Sequence, residues 1–102
     1  MSVMRDKQNL FILDLEYKEG REAAMPYMQD HLAFVQRYFD AGIFLTSGPK
    51  EPLTCGVIVA KAESHETIEA IVEEDPFQMN GCVVYTVTEF TPSRSVPGLS
   101  QL

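Results

Sequence analysis

Two hydrophobic periods alternate along this chain, and their succession restricts its fold more than any other feature. Residues 9–17 read NLFILDLEY, in which apolar side chains fall on alternate positions, so they predict a strand. From residue 19 or 20 to residue 41 the apolar positions lie three and four apart, which predicts a helix that stops at Gly42. The predicted inward stripe of this helix is Ala24, Tyr27, Met28, His31, Leu32, Val35, Tyr38 and Phe39.

The rest of the chain predicts three more strands and one more helix. The strands are expected at residues 43–47, 54–62 and 82–90, and a turn-rich connector, SGPKEPLT, follows the first of them. The helix begins after Ser64, a good N-cap, and ends near Asp75 because Pro76 disfavours a helical conformation in the residue before it. The order βαββαβ predicts a ferredoxin-like α+β fold, an antiparallel sheet with both helices on one face.

One face of such a sheet would carry no helix. Apolar side chains of Leu10, Ile12, Ile58 and Val84, or of their alternating neighbours, would be left there. A chain of this size buries only about two thirds of its surface on folding, so a bare apolar face is costly. We therefore expect a homodimer that packs sheet against sheet, with a single domain at residues 1–92 and a C-terminal tail at residues 93–102.

Charge and composition exclude several classes of function. Eight basic and fifteen acidic residues give a formal net charge of −7, which repels phosphate backbones and anionic lipids and argues against nucleic-acid partners. There is no run of eighteen apolar residues to cross a membrane and no signal-peptide pattern, so we expect a cytoplasmic protein.

Cys55 and Cys82 are isolated and are expected to be buried free thiols. With two histidines on separate elements and no clustered acids or thiols, a zinc or iron site is not expected. The sequence also has no phosphate-binding glycine loop, and we expect no cofactor.

Four polar positions are candidates for a site, and each also has a plain structural explanation. His31 lies on an apolar helical stripe, where it is either a hydrogen-bonded core residue or a general acid or base. Asp75 either ends a helix before Pro76 or orients His31. Ser47 and Gly48 either form an ordinary turn or hold a substrate oxygen.

Two other polar residues rank lower. Asp14 is either a charge at the rim of the sheet or a group that faces a partly enclosed space between two subunits. His65, at the start of the second helix, is expected at the surface.

Taken together, three short motifs resemble a known family. They are His31-Leu32 in the first helix, Gly42-x-x-x-x-x-Gly48-Pro49 around the second strand, and Asp75-Pro76-Phe77 after the second helix. In this order, over residues 8–92, they resemble the YciI-like, or YCII-related, family of small bacterial proteins. The resemblance implies a dimeric α/β barrel whose pocket contains His31 and Asp75, with Ser47 and Gly48 near its wall.

The resemblance also bears on function. The family includes a dehydrochlorinase of chlorinated aromatic compounds, which suggests an enzyme. We therefore expect a cofactor-independent lyase or isomerase that acts on a small cyclic or aromatic compound through the His31 and Asp75 pair. The alternative is a non-catalytic ligand-binding or regulatory dimer in which His31 only packs.

Overall fold

Four strands and several short helices make up residues 8–99, the part of the chain that the computed structural model describes. In chain order they are β1 (Asn9–Tyr17), α1 (Arg21–Ala24), a 3-10 turn (Met25–Tyr27), α2 (Met28–Asp40), β2 (Phe44–Pro49), β3 (Cys55–Ala62), α3 (His65–Val72), α4 (Pro76–Met79) and β4 (Val83–Phe90). The ends of the expected domain and of its tail, residues 1–7 and 100–102, lie outside the described residues.

The strands form one antiparallel sheet in the order β2-β3-β1-β4. β1 pairs with both β3 and β4, so Leu13 stands opposite Ile58 on one side and Val87 on the other. This connectivity is that of the split βαβ arrangement, and it confirms the predicted ferredoxin-like α+β fold.

The core lies between the helices and one face of the sheet. Phe11, Leu13 and Leu15, the alternate residues of β1, are almost completely buried there. Phe34 of α2 and Phe77 of α4 pack onto this face and are each 1% exposed. Burial of aromatic side chains on this scale contributes more to stability than any other contact in a small domain.

The first predicted helix is interrupted, contrary to expectation. Pro26 has no backbone N–H to donate to the preceding turn, and the chain passes through the 3-10 turn before α2 begins at Met28. The predicted stripe is also partly wrong, because Phe34 is buried whereas Leu32 is 56% exposed. The other apolar members of the predicted stripe do pack in or against the core, which Phe34 joins: Ala24, Tyr27, Met28, Val35, Tyr38 and Phe39.

Two further element boundaries differ from the prediction. The second predicted helix ends at Val72, and Pro76 begins a separate short helix, α4, in which Asp75 is the N-cap. β2 continues through Gly48 and Pro49, which pair with β3 instead of opening the turn. A proline is tolerated there because β2 is an edge strand.

Within residues 8–99 the second face of the sheet carries no helix, as expected, although Leu10 on this face is only 6% exposed. Ile12 and Val59 stand opposite each other on it, and Val84 and Phe90 are 50% and 42% exposed. Ile58 was expected on this face, but it stands opposite the core residue Leu13, points toward the helices and is buried. Side chains of β3 alternate between the two faces, so its neighbour Val59 lies on the face without helices. We refer to Ile12, Val59, Val84 and Phe90 as the open face.

Candidate functional site

A cavity of about 260 Å³ lies between α2 and the end of the sheet formed by β1, β2 and β3. Its wall is mostly apolar and includes Leu15, Val35 and Phe77. The side chain of His31 also lines it and brings a titratable group into these surroundings. The cavity therefore combines an apolar wall with a group able to exchange protons.

His31 is held by two different contacts. Its ring stacks on Phe77, with centroids 4.0 Å apart and an angle of 5° between the planes. Its Nδ1 atom lies 2.8 Å from Oδ1 of Asp75. The side chain is 12% exposed, so the imidazole is largely enclosed but still borders the cavity. Stacking fixes the plane of the ring, and the hydrogen bond fixes its rotation within that plane.

Asp75 is completely buried and is the acceptor around which the site is organised. Its Oδ1 atom accepts a hydrogen bond of 2.9 Å from the backbone N–H of Phe77, the usual contact of an N-cap residue. Its Oδ2 atom accepts a bond of 2.5 Å from the hydroxyl of Tyr85. No buried side-chain polar atom among the described residues lacks a hydrogen-bond partner.

These contacts assign the proton of the imidazole. The two oxygens of Asp75 also accept from the N–H of Phe77 and the hydroxyl of Tyr85, so we assign Nδ1 of His31 as a third donor toward this carboxylate. In the neutral ring Nε2 then carries the free lone pair. Within residues 8–99 no hydrogen bond reaches Nε2 of His31, and the ring borders the cavity. The arrangement can therefore accept a proton from a molecule in the cavity.

The electrostatics of Tyr85 support its role as a donor. Burial raises the pKa of Tyr85 far above its ordinary value, and the Asp75 carboxylate raises it further. The phenol therefore keeps its proton at any physiological pH and donates a hydrogen bond to Asp75.

Cys55 lies in the wall of the cavity in a backbone conformation that non-glycine residues rarely adopt. Its φ is 131°, and Tyr17 is another residue of the same wall. Burial raises the pKa of the Cys55 thiol, so the thiol form prevails near neutral pH. Both cysteines are free as expected, but Cys55 is only half-buried whereas Cys82 is buried.

The predicted site residues fall into two groups. Ser47 and Gly48 line the same cavity as His31, to which Asp75 is bonded. Asp14 lies on the opposite side of β1 from Leu13 and Leu15, and its Oδ1 atom contacts the ammonium of Lys50 at 2.6 Å. The structure therefore does not bring Asp14 into this cavity. His65 is partly exposed and lies between Glu69 and Glu89 at distances of 3.3 and 3.4 Å, as a surface residue.

Comparison with known families gives a clear result. Residues 3–91 match the model of the YCII-related domain. The chain belongs to this family. The resemblance seen in the three sequence motifs is thus confirmed.

One solved structure is similar to this YCII-related protein in fold. It is 5-chloro-2-hydroxyhydroquinone dehydrochlorinase from Burkholderia phenoliruptrix AC1100 in complex with 2,5-dihydroxybenzoquinone. The TM-score is 0.69 at 20% sequence identity, and the match covers 80% of this chain and 93% of the dehydrochlorinase. No curated protein sequence matches this chain.

Tyr85 is the residue of the site that the sequence analysis missed. It lies on β4 between Val83 and Val87, on the face of the strand that points toward the helices. A tyrosine at such an inward position needs a partner for its hydroxyl, and Asp75 was the available buried acceptor. That requirement is the signal that could have found it.

Across residues 8–99 no three metal-ligating side chains come together. None of the helices in this range is long and apolar enough to cross a membrane.

Proposed function

We propose that this YCII-related protein is a cofactor-independent acid–base enzyme, a lyase or isomerase that acts on a small cyclic or aromatic compound. The hydrogen bond between Nδ1 of His31 and the buried Asp75 carboxylate is the observation that carries this proposal. That bond directs the basic Nε2 atom away from Asp75 and toward a substrate. It also places a negative charge where it stabilises the imidazolium that forms after proton uptake.

The cavity supports this substrate class. A volume of about 260 Å³ with mostly apolar walls suits one substituted ring and is too small for a polymer or a dinucleotide. The dehydrochlorinase of similar fold acts on a chlorinated hydroxyhydroquinone, a compound of this size. We propose that the hydroxyl of Ser47 and the neighbouring Gly48, which line the same cavity, contact an oxygen substituent of the ring.

The proposed step is a proton transfer. Nε2 of His31 takes a proton from a C–H or O–H group of the substrate, and the electron pair of that bond moves into the ring. In a lyase this electron pair expels a leaving group such as chloride, which departs with the electrons of its own bond. In an isomerase the imidazolium returns the proton to a different atom of the same ring. Asp75 remains a carboxylate throughout and keeps Nδ1 protonated.

Replacement of His31 tests the proposal. Chlorinated hydroxyhydroquinones and small unsaturated lactones would be supplied as substrates, with chloride release and the ultraviolet spectrum as readouts. General acid–base catalysis contributes about 10²- to 10⁴-fold in rate, so His31→Gln should lower kcat by that factor. His65→Gln is the matched control, because His65 is a surface residue, and it should leave kcat unchanged. Turnover by His31→Gln at the rate of the unmodified protein would contradict the mechanism.

The same compounds test the alternative, a ligand-binding or regulatory module. In that case the unmodified protein binds a ring compound in calorimetry but converts none, and His31→Gln binds it with the same affinity. Catalysis requires turnover that depends on His31, so the two functions give opposite results.

We also propose that two copies pair through the open face in the cytoplasm. Its exposed valine and phenylalanine side chains favour burial against a second apolar surface. Lys50 compensates the charge of Asp14 beside this face and contacts Glu16 at 3.6 Å, which lowers the cost of enclosing these carboxylates. Asp14 would then face the space between the subunits. A monomeric mass in light scattering at micromolar concentration would contradict this pairing.

A further inference from the structure

We infer that Tyr85 is a positioning residue, whose hydroxyl fixes the Asp75 carboxylate so that the carboxylate in turn holds His31 with Nε2 toward the cavity. This inference rests on the proposed role of His31 as the group that exchanges protons. Tyr85 does not line the 260 Å³ cavity and is not expected to touch a substrate.

The argument begins with the two oxygens of Asp75. Oδ1 is shared by the backbone N–H of Phe77 and Nδ1 of His31. Among the described residues, the hydroxyl of Tyr85 is the donor found on Oδ2. Three donors on two oxygens define the plane of the carboxylate. With Tyr85 removed, the two remaining donors both act on Oδ1, and the carboxylate can turn about the bond that carries it.

The three donors also come from three different elements. His31 is on α2, Phe77 is at the start of α4 and Tyr85 is on β4. The Tyr85 hydroxyl thus ties the position of the carboxylate to β4, an edge strand of the sheet that pairs with β1. Without this tie, the imidazole is held only by contacts to residues at the start of α4.

Packing alone does not account for a hydroxyl at this position. The ring of Tyr85 packs against the hydrophobic core, as a phenylalanine ring would. The hydroxyl requires a buried acceptor, and Asp75 is the one buried charged side chain among the described residues. Tyr85→Phe therefore removes the hydrogen bond while it keeps the ring, which makes it a specific test.

A matched control is available on the surface. The hydroxyl of Tyr38 donates to Oε1 of Glu74 at 2.7 Å, so Tyr38→Phe also removes a hydrogen bond between a tyrosine and a carboxylate. Glu74 lies beside Asp75 in the chain, but its carboxylate does not contact His31 and is partly exposed. Any general effect of losing a phenolic hydroxyl should appear in both variants.

The decisive measurement is ¹⁵N and ¹H NMR of His31 in the full-length protein, for which no substrate is required. The unmodified protein should show a single tautomer with the proton on Nδ1, protected from exchange with water. In Tyr85→Phe we expect a mixture of the two tautomers and proton exchange faster by about 10-fold or more, while Tyr38→Phe is unchanged. The same tautomer and the same exchange rate in Tyr85→Phe as in the unmodified protein would overturn the inference.

A kinetic measurement separates this inference from the proposed function. Tyr85→Phe removes one hydrogen bond to a carboxylate, so it should lower kcat by about 10- to 100-fold, with KM changed less than about twofold. If His31→Gln proves fully active, the proposed function fails, whereas the NMR result still decides whether Tyr85 positions the imidazole. If the NMR spectrum of Tyr85→Phe is unchanged, the positioning role fails, whatever the effect of His31→Gln.

Discussion

Replacing Asp75 with alanine should destabilise the fold strongly, because the carboxylate serves three donors in a site with no access to water. The N-cap bond to Phe77 contributes about 1 kcal/mol to helix stability. His31 and Tyr85 would each be left with a buried donor that has no acceptor, at about 1–3 kcal/mol each. We expect the free energy of unfolding to fall by about 3 to 7 kcal/mol, a large part of the 5–15 kcal/mol typical of a small protein.

Urea denaturation followed by circular dichroism, at one fixed protein concentration, measures this change. The control is Glu74→Ala at the adjacent position, where the carboxylate accepts bonds from Arg37 and Tyr38 at the surface. Exposed pairs of this kind contribute less than about 1 kcal/mol, so the two neighbouring substitutions should differ several-fold in effect.

Asp75→Asn gives a second comparison. The amide keeps an oxygen to accept the N–H of Phe77 and a similar volume, so it should cost less stability than alanine. It should still lower catalysis, because a neutral amide does not stabilise an imidazolium. Equal stabilities of the Asp75→Ala and Glu74→Ala variants would refute the view that the buried network contributes to folding.

Three further predictions concern other parts of the molecule. Because its pKa is raised, Tyr85 in the folded protein keeps its proton at a pH where an unfolded tyrosine loses it. The free energy of unfolding should therefore decline above about pH 10. Denaturation at several pH values should show a less steep decline of the free energy of unfolding in Tyr85→Phe. Gly56→Ala would place a methyl group 3.1 Å from the carbonyl oxygen of Gly48 and should lower stability by about 1 kcal/mol. Gly48→Ala places its methyl group in open space and should leave stability unchanged, and thermal unfolding compares the two variants. Val84→Lys on the open face should yield monomers in light scattering, whereas Met79→Lys, which replaces an exposed side chain on α4, should leave a dimer.

The arrangement of strands and helices could be predicted because it follows from local periodicity. The boundaries could not, because single residues shifted them. Pro26 interrupts the first helix, and Pro49 continues a strand because it lies at an edge, a position that is decided by the sheet as a whole. Phe34 and Leu32 are both compatible with an apolar stripe, and only packing against the sheet decides which of them turns inward.

For the candidate site, too, the sequence could identify single residues but not the contacts between them. His31 was recognisable as a polar residue on an apolar face, and Asp75 as a residue before a proline. The 2.8 Å contact between them joins positions 44 residues apart, which no local pattern specifies. Tyr85 was missed because its hydroxyl bonds to Asp75, so its link to His31 depends on the same long-range contact. On the strand itself, an alternating tyrosine looks like any other β-forming residue.

The proline at the end of β2 has a consequence for association between molecules. β2 is an edge of the sheet, and the N–H of Lys50 points inward to the carbonyl of Cys55. Because successive backbone nitrogens of a strand alternate in direction, the nitrogen of Pro49 points outward, where it offers no hydrogen to an incoming strand. The same residue that borders the cavity thus interrupts the row of donors along the free edge. A break in this row of donors works against edge-to-edge pairing of two molecules and so against aggregation.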